Sequence, residues 1–185
     1  GKFIFDGAVT SGYALTTSLD QTGAKIGHNS GGRDFQLQTG NTTRLTILGG
    51  GNVGVGTTGP DSLFEVSKAA GDAEVLVSAY HDTEATAPIV RFRKADNTEA
   101  SPAAVDDNAV LGVIDFLGHD GTNFERGAKI EARVDGTSGN NDLPTELTFW
   151  TTPDGSNTCA EVLSIKPDGR GVSDFTAFAW ATYDD

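Results

Sequence analysis

The sequence predicts an all-β protein made of short antiparallel strands, and three observations carry that prediction. Apolar residues alternate with polar ones and nowhere keep the spacing of an amphipathic helix. The cleanest case is Ala128 to Asp135, where Ala128, Ile130, Ala132 and Val134 face one way and Lys129, Glu131, Arg133 and Asp135 the other. Asp-Gly pairs begin at Asp6, Asp120, Asp135, Asp154 and Asp168, and the last four fall between strand candidates, as hairpin turns do. Finally, Gly49, Gly50, Gly51, Gly54 and Gly56 crowd one short run. Each costs about 0.5–1 kcal/mol relative to alanine in a regular element, so a turn, a bulge or a close backbone approach must require them.

The elements follow in order. Residues 1–30 read as short strands at Phe3–Phe5, Tyr13–Thr17 and Lys25–Ile26, separated by turns. Phe35 and Leu37 alternate with Gln36 and Gln38, and Gly40-Asn41 turns the chain into an apolar strand that ends at Leu48. After Pro60 the strand candidates are Leu63–Val66, Val75–Tyr80 and Ile89–Phe92. Ser101 to Asn108 offers one helical turn, with Ser101 as N-cap and Pro102 at the first position. Val110–Leu117, Ala128–Asp135, Glu146–Thr151 and Val162–Ile165 complete the set, followed by an aromatic stretch containing Phe175, Phe178, Trp180 and Tyr183.

Gly49, Gly51 and Gly54 satisfy the spacing of a dinucleotide fingerprint, but that site needs the third glycine to open a helix. Val53, Val55, Thr57, Thr58 and Pro60 are poor helix formers, so no cofactor is expected. The run is instead repeated. Leu45, Ile47 and Gly51 correspond to Leu163, Ile165 and Gly169 at a constant offset of 118, with Gly171 following. A strand hairpin running into glycine is therefore expected twice, with Gly49, Gly50, Gly51, Gly54, Gly56, Gly169 and Gly171 as structural junction residues.

At 185 residues the chain holds one domain or two small ones. Thirteen Lys and Arg against 26 Asp and Glu give a net charge of −13, which argues against a nucleic-acid partner and suits an extracellular, self-repelling surface. The single Cys159 excludes an intrachain disulfide. No apolar run reaches a membrane span, so no membrane insertion is expected. The sequence contains no methionine, which reads as part of a longer chain.

Gly51-Asn52-Val53-Gly54-Val55-Gly56-Thr57-Thr58-Gly59-Pro60 resembles a GNVGIGT-x-x-P segment that recurs in bacteriophage tail fibres and related virion appendages, after an R-L-x-I strand. The block Val110-Leu111-Gly112-Val113-Ile114-Asp115-Phe116, with Gly127-Ala128-Lys129-Ile130-Glu131-Ala132, Asp135-Gly136-Thr137 and Asn141-Asp142-Leu143-Pro144, is similar to a β-domain of the same family. Together these cover roughly two thirds of the chain. The resemblance implies an intertwined homotrimeric fibre located on the virion, outside the cell. Its implied partners are its own copies, other virion tail proteins and a host cell-surface glycan or protein. In that family an autoproteolytic chaperone often starts at Ser-Asp followed by basic residues. Here Ser173-Asp174 is followed by Phe175, Thr176 and Ala177, so residues 174–183 read as the first strand of a further β-domain.

The expected organisation is an N-terminal β-module at 1–48, a glycine-rich junction at 49–60, a β-sandwich-like central domain at 61–168, and a second junction at 169–185. Its role would be structural and adhesive, without catalysis, as a spacer that presents or contributes to receptor binding at host attachment. Two other classes share the composition. A carbohydrate-binding or adhesin module of a bacterial surface would use Trp150 and Trp180 as glycan contacts. A glycan-degrading tailspike would need Asp115, Glu131 and Glu146 as paired carboxylates. His28, His81 and His119 occur singly and read as turn or surface residues. Asp135 to Asp142 has the oxygen-rich look of a calcium loop without the EF-hand pattern, so Asx turns are expected and no metal is assigned.

Overall fold

The computed structural model describes residues 15–21, 23–28 and 30–173. The chain divides into two compact units, Gly1–Pro88 and Ile89–Asp185. The expected elements at Phe3–Phe5 and at 174–183, Trp180 included, lie outside the described residues.

In the first unit β1 (Leu15–Asp20) and β2 (Gly23–His28) form an antiparallel hairpin. A second sheet contains β3 (Phe35–Thr39), β4 (Thr42–Ile47), β5 (Val53–Val55) and β6 (Phe64–Val66), in that spatial order. Its pairs are antiparallel except β5 with β6, which run parallel. Register stacks Phe35, Ile47, Val53 and Phe64 across the sheet, and beside them Leu37, Leu45, Val55 and Val66. Since side chains alternate along a strand, these two ranks make one apolar face.

The second unit is a five-stranded antiparallel meander with a small ribbon. β7 (Asp96–Thr98) and β8 (Ser101–Ala103) form the ribbon. β9 (Val110–His119), β10 (Phe124–Val134), β11 (Thr145–Thr151), β12 (Ala160–Ile165) and β13 (Gly171–Ser173) lie side by side in chain order. The Asp-Gly pairs at 120, 135, 154 and 168 fall in the connections between these strands, as hairpin punctuation requires.

Three local expectations are corrected. Ser101 does not cap a helix, because Ser101–Ala103 pairs with Asp96–Thr98 and residues 104–108, all that remains of the candidate, are too few to carry the cost of helix nucleation. Val75–Tyr80 and Ile89–Phe92 have strand-like sequences but belong to no strand. Strand propensity reflects fit to a paired neighbour, and among the described residues neither stretch pairs with a strand.

Candidate functional site

The glycine run proves to be a hairpin turn. The Leu48 N–H donates to the Asn52 carbonyl at 2.9 Å and the Gly51 N–H to the Leu48 carbonyl at 2.8 Å, so β5 folds straight back on β4. The second glycine site repeats this at the offset of 118. The Lys166 N–H donates to Arg170 O at 2.8 Å and the Gly169 N–H to Lys166 O at 2.9 Å. β13 then pairs with β12 as β5 pairs with β4, Ile165 meeting Gly171 where Ile47 meets Val53. Gly51 and Gly169 have φ of 97° and 81°, the left-handed region that turns of this kind demand. The correspondence extends to two buried hydroxyls without a hydrogen-bond partner, Thr46 Oγ1 and Ser164 Oγ.

Three of the remaining junction glycines, Gly49, Gly54 and Gly56, meet their own chain. A Cβ at Gly49 would lie 2.6 Å from the Gly31 carbonyl oxygen, and one at Gly56 would lie 2.1 Å from the Ser67 carbonyl oxygen. At buried Gly54 it would lie 2.8 Å from Thr57 O and 3.3 Å from Pro60 Cδ. Gly50 and Gly171 have open space. These contacts are intrachain, so Gly54→Val should open the β4–β5 hairpin, at a cost of roughly 3 kcal/mol by overpacking. Amide exchange at Leu45, Thr46 and Ile47 should accelerate while β9–β12 stay protected; unchanged exchange at those three positions contradicts this.

An antiparallel strand that alternates in this way commonly keeps its charged face in water, but the charged face of the meander is largely closed. Glu131 is 6% exposed and Glu146 4%, and Thr148 and Ser164 are buried beside them. Long side chains lying flat across neighbouring strands do the covering. Lys129 Nζ reaches Glu131 at 2.6 Å, Arg133 reaches Glu146 with Nη2 at 2.6 Å and Nε at 2.9 Å, and Lys166 closes the other Glu146 oxygen. Arg133 also lies 4.0 Å from Glu131 and 3.8 Å from Glu161. At the edge, Arg126 binds Asp115 through two bonds of 2.6 Å.

The three candidate carboxylates thus each meet a cation. The Arg126 hydrogen bonds hold the Asp115 carboxyl below the usual range. Burial works to raise Glu146, but donors on Lys166 and Arg133 outweigh it and keep that carboxyl low as well. A general acid needs the opposite shift. Both groups bind protons less readily when folded, so their contribution is complete above about pH 4, the unfolded range, and is lost as pH falls through the folded values. The parent melting temperature should therefore drop more steeply below about pH 4 than that of Glu146→Gln; parallel curves contradict this.

Trp150 is half-buried. Its indole N–H donates to Thr148 Oγ1 at 2.8 Å and Lys129 Nζ lies 4.1 Å from its ring centroid, so one ring face is already occupied by an ammonium group. A recess of about 220 Å³ beside it is lined by Arg126, Asn157, Thr158 and Cys159. The three histidines share one turn geometry: Nδ1 of His28, His81 and His119 accepts the backbone N–H two residues ahead, at 3.3, 2.9 and 3.0 Å. Among the described residues no three His, Cys, Asp or Glu side chains converge as metal ligands. The loop after Asp135 is closed by backbone bonds between Gly139 and Asp142.

What the single chain leaves open is apolar. On the meander's other face Ile114 is 48% exposed, Phe116 53%, Leu147 37% and Ile165 42%. On the apolar face of the first unit Leu37, Ile47, Val55 and Phe64 are exposed too. The buried apolar side chains among the described residues are Val105 and Val134. Ile89–Phe92 partly roofs the meander's face, with the Phe92 Cβ 2.8 Å from where a Gly112 Cβ would stand, and leaves a groove of about 420 Å³ along Ile114 and Leu147. Gly112 is a packing position that sequence reading missed, since a lone strand glycine signals a close approach without naming what approaches.

No family model matches the chain, and no curated protein matches it. Solved structures share its fold. The carboxy-terminal domain of the bacteriophage T5 L-shaped tail fibre matches with a TM-score of 0.61 at 13% identity, over 89% of this chain and 79% of that one. The structure of that domain with its intra-molecular chaperone domain gives 0.64 at 14% identity, over 89% of this chain and 55% of that one. The all-β architecture with antiparallel sheets is thus that of a phage tail-fibre domain.

Proposed function

We propose that the chain is a structural section of a phage tail fibre, in which three copies close their apolar sheet faces on one another and form a stiff extracellular spacer that contributes to host attachment. One observation carries this reading: in both units the face that a soluble monomer would bury is open. Complete burial of a Leu, Ile, Val or Phe side chain contributes roughly 1.5–3 kcal/mol, so a face of several half-exposed side chains is a strong reason to associate. The fold likeness and the tail-fibre motifs agree with it. The work is mechanical: sheets stacked about an axis resist bending and leave an acidic, repelling exterior. No catalytic step is assigned, in keeping with the paired states of Asp115, Glu131 and Glu146.

Light scattering at micromolar concentration tests the assembly, with three times the 19.2 kDa chain mass expected. A monomer overturns the reading, and a monomer that also binds glycans would support the adhesin class instead.

A further inference from the structure

We infer that Val75–Tyr80 of one copy adds as a sixth strand to the free edge of β9 in the next copy; this rests on the trimer reading and names the contact that closes it. Among the described residues β9 pairs with β10 alone, and its outer edge offers the backbone groups of Val110–His119. That edge is long, and Val110, Ile114, Phe116 and Leu117 are exposed along it. An open apolar edge of this kind is a template for strand addition, and a soluble protein keeps it only when something covers it.

The same chain carries a segment with the complementary need. Val75-Leu76-Val77-Ser78-Ala79-Tyr80 is β-branched or apolar at most positions, and Val75, Leu76 and Tyr80 are 71%, 77% and 93% exposed. Among the described residues it pairs with no strand. At about 3.3 Å per residue, six residues span roughly 20 Å, which fits inside a ten-residue edge of roughly 33 Å.

Charge favours this pairing over others. In a chain of net charge −13 most surfaces repel their copies. Residues 75–80 carry no charge, and the acid of β9, Asp115, is already neutralised by Arg126. The other end of the meander is a poorer acceptor, because β13 is three residues long. Each copy would donate one strand and receive one, a head-to-tail contact that closes as a ring with no unpaired end.

The test begins with the parent chain by light scattering, where a monomer overturns both this inference and the trimer reading. In a trimeric parent, Val77→Pro removes one N–H and cannot sit inside a central strand. It should lower the assembled fraction at least tenfold while far-UV circular dichroism keeps its sheet signal, and Val77→Thr should assemble like the parent. A Val77→Pro trimer of parental strength overturns the strand addition and leaves the trimer standing. In a Cys159→Ser background, Val77→Cys combined in turn with Ile114→Cys and Phe116→Cys should give disulfide-linked multimers on a non-reducing gel. Links within single chains only, or none, overturn the inference.

Discussion

Arg133→Ala should destabilise the second unit by about 3 kcal/mol, the largest stability effect expected of any single truncation on the charged face. Arg133 is the hub: it donates twice to Glu146 and lies within 4.0 Å of Glu131 and Glu161. Burying a paired ion gives little net stability, because desolvation consumes the attraction, but removing one partner strands a charge where water cannot reach it. Glu131 and Glu146 are both nearly closed to solvent, so each would be left short of a partner. Lys166 still serves Glu146 and Lys129 still serves Glu131, which places the cost at the low end for a broken buried pair. Adding Glu146→Gln should recover part of the loss, since an amide in place of the stranded carboxylate needs no counterion. Urea midpoints at one fixed chain concentration measure this, because assembly would otherwise contribute to apparent stability. A loss below about 0.5 kcal/mol would mean that the carboxylates are solvated after all.

Which parts of this were legible in sequence follows from what each signal depends on. Hairpins were readable because Asp-Gly and alternating apolar residues are local requirements of a turn and a pleat. The repeat at offset 118 was readable for the same reason, and it extends to the hydrogen bonds of both glycine turns. Two things were not. The alternation of Ala128 to Val134 shows that the strand has two faces but not which is covered. Here the charged face is closed by its own long side chains while Ile114 and Phe116 stay open. Likewise Val75–Tyr80 and Ile89–Phe92 have the composition of strands, and a strand also needs a neighbour, which composition does not supply. The glycines at 54 and 56 signalled crowding correctly, but the crowding atoms, in Thr57, Pro60 and Ser67, are fixed by the fold.

Phe116→Asp should convert the proposed trimer to monomers with the β-sheet signal retained, and it is the largest effect on assembly expected of any one residue. Phe116 is 53% exposed on the apolar face of the meander, next to Ile114 and opposite Ala128. In a single chain this position faces water, so aspartate there costs the fold little. Inside a closed assembly a carboxylate without a counterion would cost several kcal/mol in each copy, and symmetry would impose that cost three times at once. The sign of the result therefore separates the readings. If the face is an interface, sedimentation should show the mass falling to that of one chain, with solubility gained as the apolar patch is broken. If the chain acts alone, the substitution should leave both mass and stability as they were. Thr122→Asp, in the exposed turn between β9 and β10, adds the same charge away from the face and should leave the proposed trimer intact. Loss of assembly in both variants would mean that net charge alone controls it, and the apolar face would lose its claim to be the contact surface.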